Sequence, residues 1–297
     1  MIARPLAGRG QALLVLAFLA PALLLLALFV VAPAVSAVLF SFTDLALRGP
    51  GALAPKIVGL GNYTRLFGDQ SFVDAFGRSV SFVFFSAIIG QFVLGLVAAL
   101  LLARKGIVGK GLFGAAILMP LVVPETVAAL AWASMYAPDA RGTLNLLVGL
   151  VGQEPVAWLV ANPMLAIIIV NIWRGVAFAM ILFAAALEGV PREVVEAAMV
   201  DGASAWQQLT RITLPLIKHA IVLYMLLTTI GTFTVFGLIY FLTRGGPGGG
   251  TTVMSVFIYE RAFHFAEIGL GSAASVIMLG IVLAIGLFYV RALRAQI

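Results

Sequence analysis

Two charges stand where an apolar chain has least use for them: Arg174, in the run Asn171-Ile172-Trp173-Arg174-Gly175, and Glu125, directly after Pro124. Each lies inside a long hydrophobic stretch, where an ionised side chain costs about 3 kcal/mol on insertion scales and faces a cavity or a partner. A guanidinium can bond hydroxyls or an anionic group. The competing reading pairs Arg174 with Glu125, and a helix broken at Pro124 would also let Glu125 meet water. Trp173 offers a face for stacking or simply fills space. Further along, Tyr224, Thr228, Gly231, Thr232 and Val235 recur at helical spacing. That stripe is either wetted or a small-residue helix contact with its hydroxyls bonded to their own helix.

Other chemistry is missing. There is no cysteine, and two histidines, His219 and His264, leave no zinc site or disulfide. No phosphate-binding G-x-x-x-x-G-K-[ST] loop occurs, since Gly106 to Lys110 has the wrong spacing. A membrane-embedded enzyme would need a constellation of catalytic groups that the sequence does not supply.

A third group is polar and evenly spaced: EAAMVDGASAWQQLTRITLPL, from Glu196 to Leu216. Pro191 suits a first helical turn, and Glu193 and Glu196 favour the positive end of the helix that follows. These two acids share a face, while Val195, Ala198 and Met199 make an apolar one. Gly202 can turn the chain in a left-handed conformation, and Ser204 with Gln207 fits a capping box that starts a second helix. Leu214-Pro215 marks a bend into the next apolar run. A helix-turn-helix knuckle results. An amphipathic helix lying on lipid headgroups is the alternative. Its apolar face is short and alanine-rich and its other face acidic, which suits an anionic membrane poorly and a protein partner better.

The elements that must position these groups follow from composition. With 63% hydrophobic and 10% charged residues in 297, the chain reads as an integral membrane protein of one domain spanning 1–297. The formal charge of +6 sits in short clusters beside apolar runs, which points to the lipid bilayer and not to nucleic acid. Six apolar segments, at about 11–39, 75–103, 112–137, 163–189, 216–241 and 267–290, are long enough to cross. They are continuous and not alternating, so the fold class is all-α with six transmembrane helices. Pro21, Pro33, Pro120 and Pro124 make the first and third spans irregular. The first segment follows Arg4 and Arg9 but exceeds a signal peptide's apolar core, so it reads as retained. Ten basic residues fall on one side (Arg4, Arg9, Arg104, Lys105, Lys110, Arg192, Arg211, Lys218, Arg291, Arg294) and six on the other (Arg48, Lys56, Arg65, Arg141, Arg244, Arg261). Both termini and the knuckle are therefore expected in the cytoplasm.

Glu196-Ala197-Ala198, three residues, Gly202, nine residues, then Ile212-x-Leu214-Pro215 resembles the EAA motif of permease subunits from binding-protein-dependent ABC importers. Val58-Gly59-Leu60-x-Asn62-Tyr63, Leu242-Thr243-x-Gly245-Gly246-Pro247, and Trp158 with Asn162-Pro163 look like the carbohydrate branch of that family, the maltose, lactose and glycerol-phosphate type. The resemblance covers residues 11 to 291. It implies half of a translocation pathway for a sugar, of di- or oligosaccharide size, in a bacterial or archaeal plasma (inner) membrane. The implied partners are a second homologous permease, two ATPase subunits that bind MgATP, and an extracytoplasmic solute-binding protein. This chain itself would hold no cofactor and no ATPase site. The loop 190–215 would be the coupling helix, with Glu196 its main ionic contact, Gly202 its turn, and Ala197, Ala198 and Ala203 allowing close approach; Glu193 and Asp201 belong to the same set. Thr228, Gly231, Thr232 and Val235 match span-five positions beside the sugar in the maltose-type relative, and Gly175 and Phe178 match span-four ones. Asn171, Trp173 and Arg174 complete the expected pathway. The glycine-rich loop Thr243 to Thr252 is either a flexible linker or a contact for the binding protein. An ion-coupled secondary transporter is the rival class, for which only Glu125 and Glu188 offer carboxylates near the membrane.

Overall fold

A computed structural model describes residues 8 to 104, 106 to 139 and 141 to 294. Arg4 and Lys105, two of the charges that set the expected orientation, lie outside them. Among the described residues the regular structure is helical, with one isolated antiparallel bridge between Thr43 and Ile57. The order of the principal elements is α1 (Leu14–Ser41), α2 (Gln70–Ala103), α3 (Lys110–Val122), α4 (Glu125–Met135), α5 (Pro163–Glu188), α6 (Arg192–Val200), α7 (Ala205–Leu216), α8 (Lys218–Phe233), α9 (Gly237–Thr243), α10 (Met254–Tyr259) and α11 (Ile268–Arg294). Four of these, α1, α2, α5 and the apolar length of α11, are long and apolar enough to cross a membrane alone. Two bent pairs raise the number to as many as six: α3 with α4, turned by 110°, and α7 with α8, turned by 72°.

The prolines explain the first bend. Pro120 lies inside α3, and Pro124 forces the residue before it out of the helical region, so Val123 is extended (φ −79°, ψ 123°) and α4 starts afresh at Glu125. The second bend falls at Ile217, two residues beyond Pro215. The expected fifth span, 216–241, differs in another way: α8 ends at Phe233 and the chain restarts as α9 only at Gly237.

The chain divides into two compact units. One comprises 1–68 with 260–277, the other 69–259 with 278–297. In the first unit, α1 is exposed from Leu14 to Val35, as suits a helix whose surroundings are lipid or another subunit. Its end is held by Asn62, a buried residue whose Nδ2 donates to the carbonyls of Ser41 (2.9 Å) and Thr43 (2.8 Å). Tyr63 joins through its hydroxyl to Ser41 Oγ at 2.7 Å. Arg65 and Glu267 close the unit with an ion pair of 2.6 Å.

In the second unit two apolar clusters flank the middle of α5. One gathers Phe82, Ala128, Ile167, Val170, Leu238 and Val256 among others; the other gathers Leu96, Ala99, Met180, Phe183 and Tyr224. Helices α2 and α5 touch closely because a side chain at Gly95 would collide with Ala179. Small residues are how membrane helices gain such contact, since lipid offers no hydrophobic drive between them. A π-helical stretch, Val83–Gln91, lies in α2 at this level. The loop Thr243 to Thr252 is ordered: Thr243 and Thr251 join hydroxyls at 2.6 Å, and Thr251 and Thr252 donate to the carbonyls of Gly246 and Gly245.

Candidate functional site

Between α2, α3, α5 and α8, all in the second unit, lies a cavity of about 450 Å³. This falls in the range of roughly 300–1,000 Å³ found for small-molecule sites. Seven of the nine pathway residues expected from sequence line it: Asn171, Arg174, Gly175 and Phe178 from α5, and Thr228, Gly231 and Thr232 from α8. Trp173 and Val235 do not; both pack against the Phe82 cluster. Trp173 is one residue, about 100° of helix, from Arg174, and meets Trp132 edge-on at 5.7 Å. Val235 falls in the break between α8 and α9, where helical spacing from Thr232 no longer applies.

Sequence reasoning missed Gln91, which also lines the cavity and is 3% exposed. Its Nε2 donates to the carbonyl of Asn171 at 2.8 Å; Asn171 Nδ2 donates to Ser86 Oγ at 2.8 Å; and Ser86 Oγ donates back to the carbonyl of Phe82 at 2.5 Å. A Cβ at residue 175 would overlap the Gln91 carboxamide, so Gly175 is what admits this amide to the helix interface. In low dielectric such a chain of donated bonds is rigid, which fixes the amide groups at the cavity wall. The signal for Gln91 was available: an amide in the otherwise apolar run IIGQFVLG.

The ion pair weighed in the sequence is present. Arg174 Nη1 lies 3.2 Å from Glu125 Oε1, with side-chain exposures of 20% and 38%. Glu125 is the first residue of α4. Arg174 Nε is buried and has no hydrogen-bond partner among the described residues. Phe178 supplies an apolar wall and stacks on Tyr224 at 6.5 Å. Tyr224 in turn donates to the carbonyl of Ala87 at 2.9 Å. The cavity thus offers guanidinium, amide and hydroxyl groups with one aromatic face.

The knuckle forms as its residues dictate. Helix α6 begins after Pro191 and ends where Gly202 takes φ +78°, with the Ala203 N–H donating to the Ala198 carbonyl at 2.9 Å. Ser204 and Gln207 make a reciprocal capping box, 3.3 Å and 2.8 Å, that opens α7. Glu193, Glu196, Ala197, Asp201 and Gly202 are exposed, Ala203 is half-buried, and Ala198 is buried. Of the expected apolar face, Met199 remains exposed at 54%. Val200 and Trp206, 87% and 71% exposed, add apolar surface that sequence reading did not single out. Glu196 also borders a groove of about 370 Å³ with Leu187, Val190 and Met199. An exposed mix of acids, alanines and large apolar groups suits a protein contact.

The sequence model of the binding-protein-dependent transport system inner membrane component family matches residues 11–296. The chain belongs to that family. Similar to it is the trehalose/maltose transport system permease protein MalF of Thermococcus litoralis, 35% identical over 236 residues, 79% of each chain. The sulfoquinovosyl glycerol transport system permease protein SmoG of Agrobacterium fabrum is 31% identical over 289 residues, covering 97% of this chain and 92% of the relative. Among solved structures, a bacterial ABC transporter involved in the import of the acidic polysaccharide alginate superposes with a TM-score of 0.80 over 96% of both chains, at 23% identity. As a member of this family the chain is a multi-pass inner-membrane component of a transport system.

Proposed function

We propose that this component forms half of the translocation pathway for a sugar of di- or oligosaccharide size, in an importer with a second homologous permease, two ATPase subunits and an extracytoplasmic solute-binding protein. The relatives named for trehalose/maltose and lactose transport support the sugar class. In this reading the chain makes six crossings, the third by the bent pair α3–α4 and the fifth by α8 with α7 outside the membrane, and keeps both termini and the loop 190–215 in the cytoplasm. MgATP is held by the ATPase subunits, whose closure moves the knuckle at Glu196 as a lever and switches the cavity from inward to outward facing. Glu193, Ala197, Ala198, Asp201, Gly202 and Ala203 shape that contact, and the ordered loop 243–252 meets the binding protein.

One observation carries the reading. Residues selected as polar or small inside two separate spans converge on one cavity, whose lining includes Arg174, the partner of Glu125, and the amides of Gln91 and Asn171. Ion coupling is less well supported, because Glu125 is already paired with Arg174. The test is Gly231→Leu in the reconstituted importer. A Cβ at 231 meets nothing within 4 Å, so the side chain starts into open space from a residue that lines the cavity. Uptake should fall at least tenfold while the complex still assembles; undiminished uptake would remove the cavity from the route.

A further inference from the structure

We propose that the Arg174–Glu125 pair is a charge filter that makes the cavity selective for uncharged polyhydroxylated solutes over anionic ones, an inference that rests on the cavity being the solute's route. An unpaired arginine in this wall would attract phosphate or carboxylate. Here Nη1 is committed to Glu125 Oε1 at 3.2 Å, so the two groups together bring no net charge. The carboxylate is confined as well: a Cβ at Gly237 would stand 2.9 Å from Glu125 Oε2, so the backbone of α9 lies against it. An anion approaching Arg174 therefore meets a fixed negative group 3.2 Å from the guanidinium.

What remains in the wall is hydrogen-bonding capacity of the neutral kind. Arg174 Nη2 has no hydrogen-bond partner among the described residues. Gln91 and Asn171, 3% and 4% exposed, spend their N–H groups on the Asn171 carbonyl and on Ser86, and no described residue donates to their amide oxygens. A hydroxyl satisfies both types because it donates and accepts, whereas phosphate and carboxylate oxygens only accept. Phe178 adds the apolar face that the C–H side of a sugar ring needs.

The test is equilibrium binding to the intact importer in nanodiscs, without binding protein, using maltose, trehalose and lactose alongside the 6-phosphates of maltose and trehalose. The wild type should bind at least one neutral sugar, and bind it tenfold or more tighter than its phosphorylated form. Glu125→Gln leaves a net positive wall and should shift that ratio at least tenfold toward phosphate. Arg174→Gln leaves a net negative wall and should shift it in the opposite direction. Misfolding would weaken both probes together, so opposed shifts are the signature. Failure to bind any neutral sugar, a wild-type preference for phosphate, or equal ratios in both variants would overturn the filter. Gly231→Leu separates the two ideas. If it abolishes binding while the charge variants leave the ratio unmoved, the filter alone fails; if it leaves sugar binding intact, the cavity reading fails with it.

Discussion

Replacing Gly202 by alanine isolates the turn of the knuckle from everything around it. The residue has φ +78°, and a Cβ built there meets nothing within 4 Å, so the substitution carries no steric cost. What it carries is the left-handed backbone penalty, about 1–2 kcal/mol for an L-residue with a Cβ. That moves the balance between this turn and other backbone paths by a factor of about 5–30. Asparagine is larger but visits the left-handed region readily, so Gly202→Asn should lose less than Gly202→Ala. The assay is binding-protein-stimulated ATP hydrolysis by the purified importer, with assembly followed by size-exclusion chromatography. Stimulation should drop severalfold in the alanine variant and only mildly in the asparagine one. Alanine matching wild type, or asparagine falling below alanine, would refute the claim that the left-handed turn sets coupling.

Three further outcomes follow from the structure. Glu125→Ala leaves Arg174 without its counter-ion. Breaking a fully buried pair costs about 3–5 kcal/mol; because Glu125 is 38% exposed, solvent screening reduces this to about 1–3 kcal/mol. Thermal unfolding in detergent should show that loss, with Glu125→Leu/Arg174→Met recovering most of it. Asn62→Ala orphans two carbonyls at the end of α1 and should lower stability by about 2 kcal/mol, again visible in the melt. Glu260, the first residue of the π-helical segment Glu260–His264 that follows α10, has its pKa raised, chiefly by burial and partly opposed by His264 and Arg261. A carboxyl raised in the folded state binds more protons there than when unfolded, so stability falls as pH climbs through the window above its ordinary value. Glu260→Gln should therefore be more stable than wild type at neutral pH, with the difference vanishing in acid; a difference that grows in acid would reverse the sign.

The helical class and the positions of the long apolar runs were legible because length and continuity alone decide them. Pro124 announced a break, yet nothing in a sequence states that the break turns by 110°. The interruption after Phe233 was invisible, since Thr234, Val235 and Phe236 are as apolar or small as their neighbours. It cost the assignment of Val235, whose spacing from Thr232 holds only in a continuous helix. Arg174 and Glu125 stood out because charges are rare in such surroundings, and their pairing was one of two readings that geometry then separated. Gln91 carried the same kind of signal more faintly. Ser86 and Gln91, five residues apart, would lie about 140° apart on a regular α-helix. The π-helical stretch Val83–Gln91 lets both reach Asn171, and spacing does not forecast that.

The absence of cysteine makes the most direct measurement clean: Gly231→Cys would be the only thiol in this chain. Gly231 lines the cavity, and a Cβ there meets nothing within 4 Å. With the other subunits also free of cysteine and the importer in sealed proteoliposomes, membrane-impermeant maleimides applied from each side report which face the cavity opens to. Alternating access predicts labelling from the cytoplasmic side without nucleotide, labelling from the opposite side when ATP closes the ATPase pair, and slower labelling in the presence of transported sugar. Labelling that ignores both nucleotide and sugar would contradict the assignment of this cavity as the solute's path.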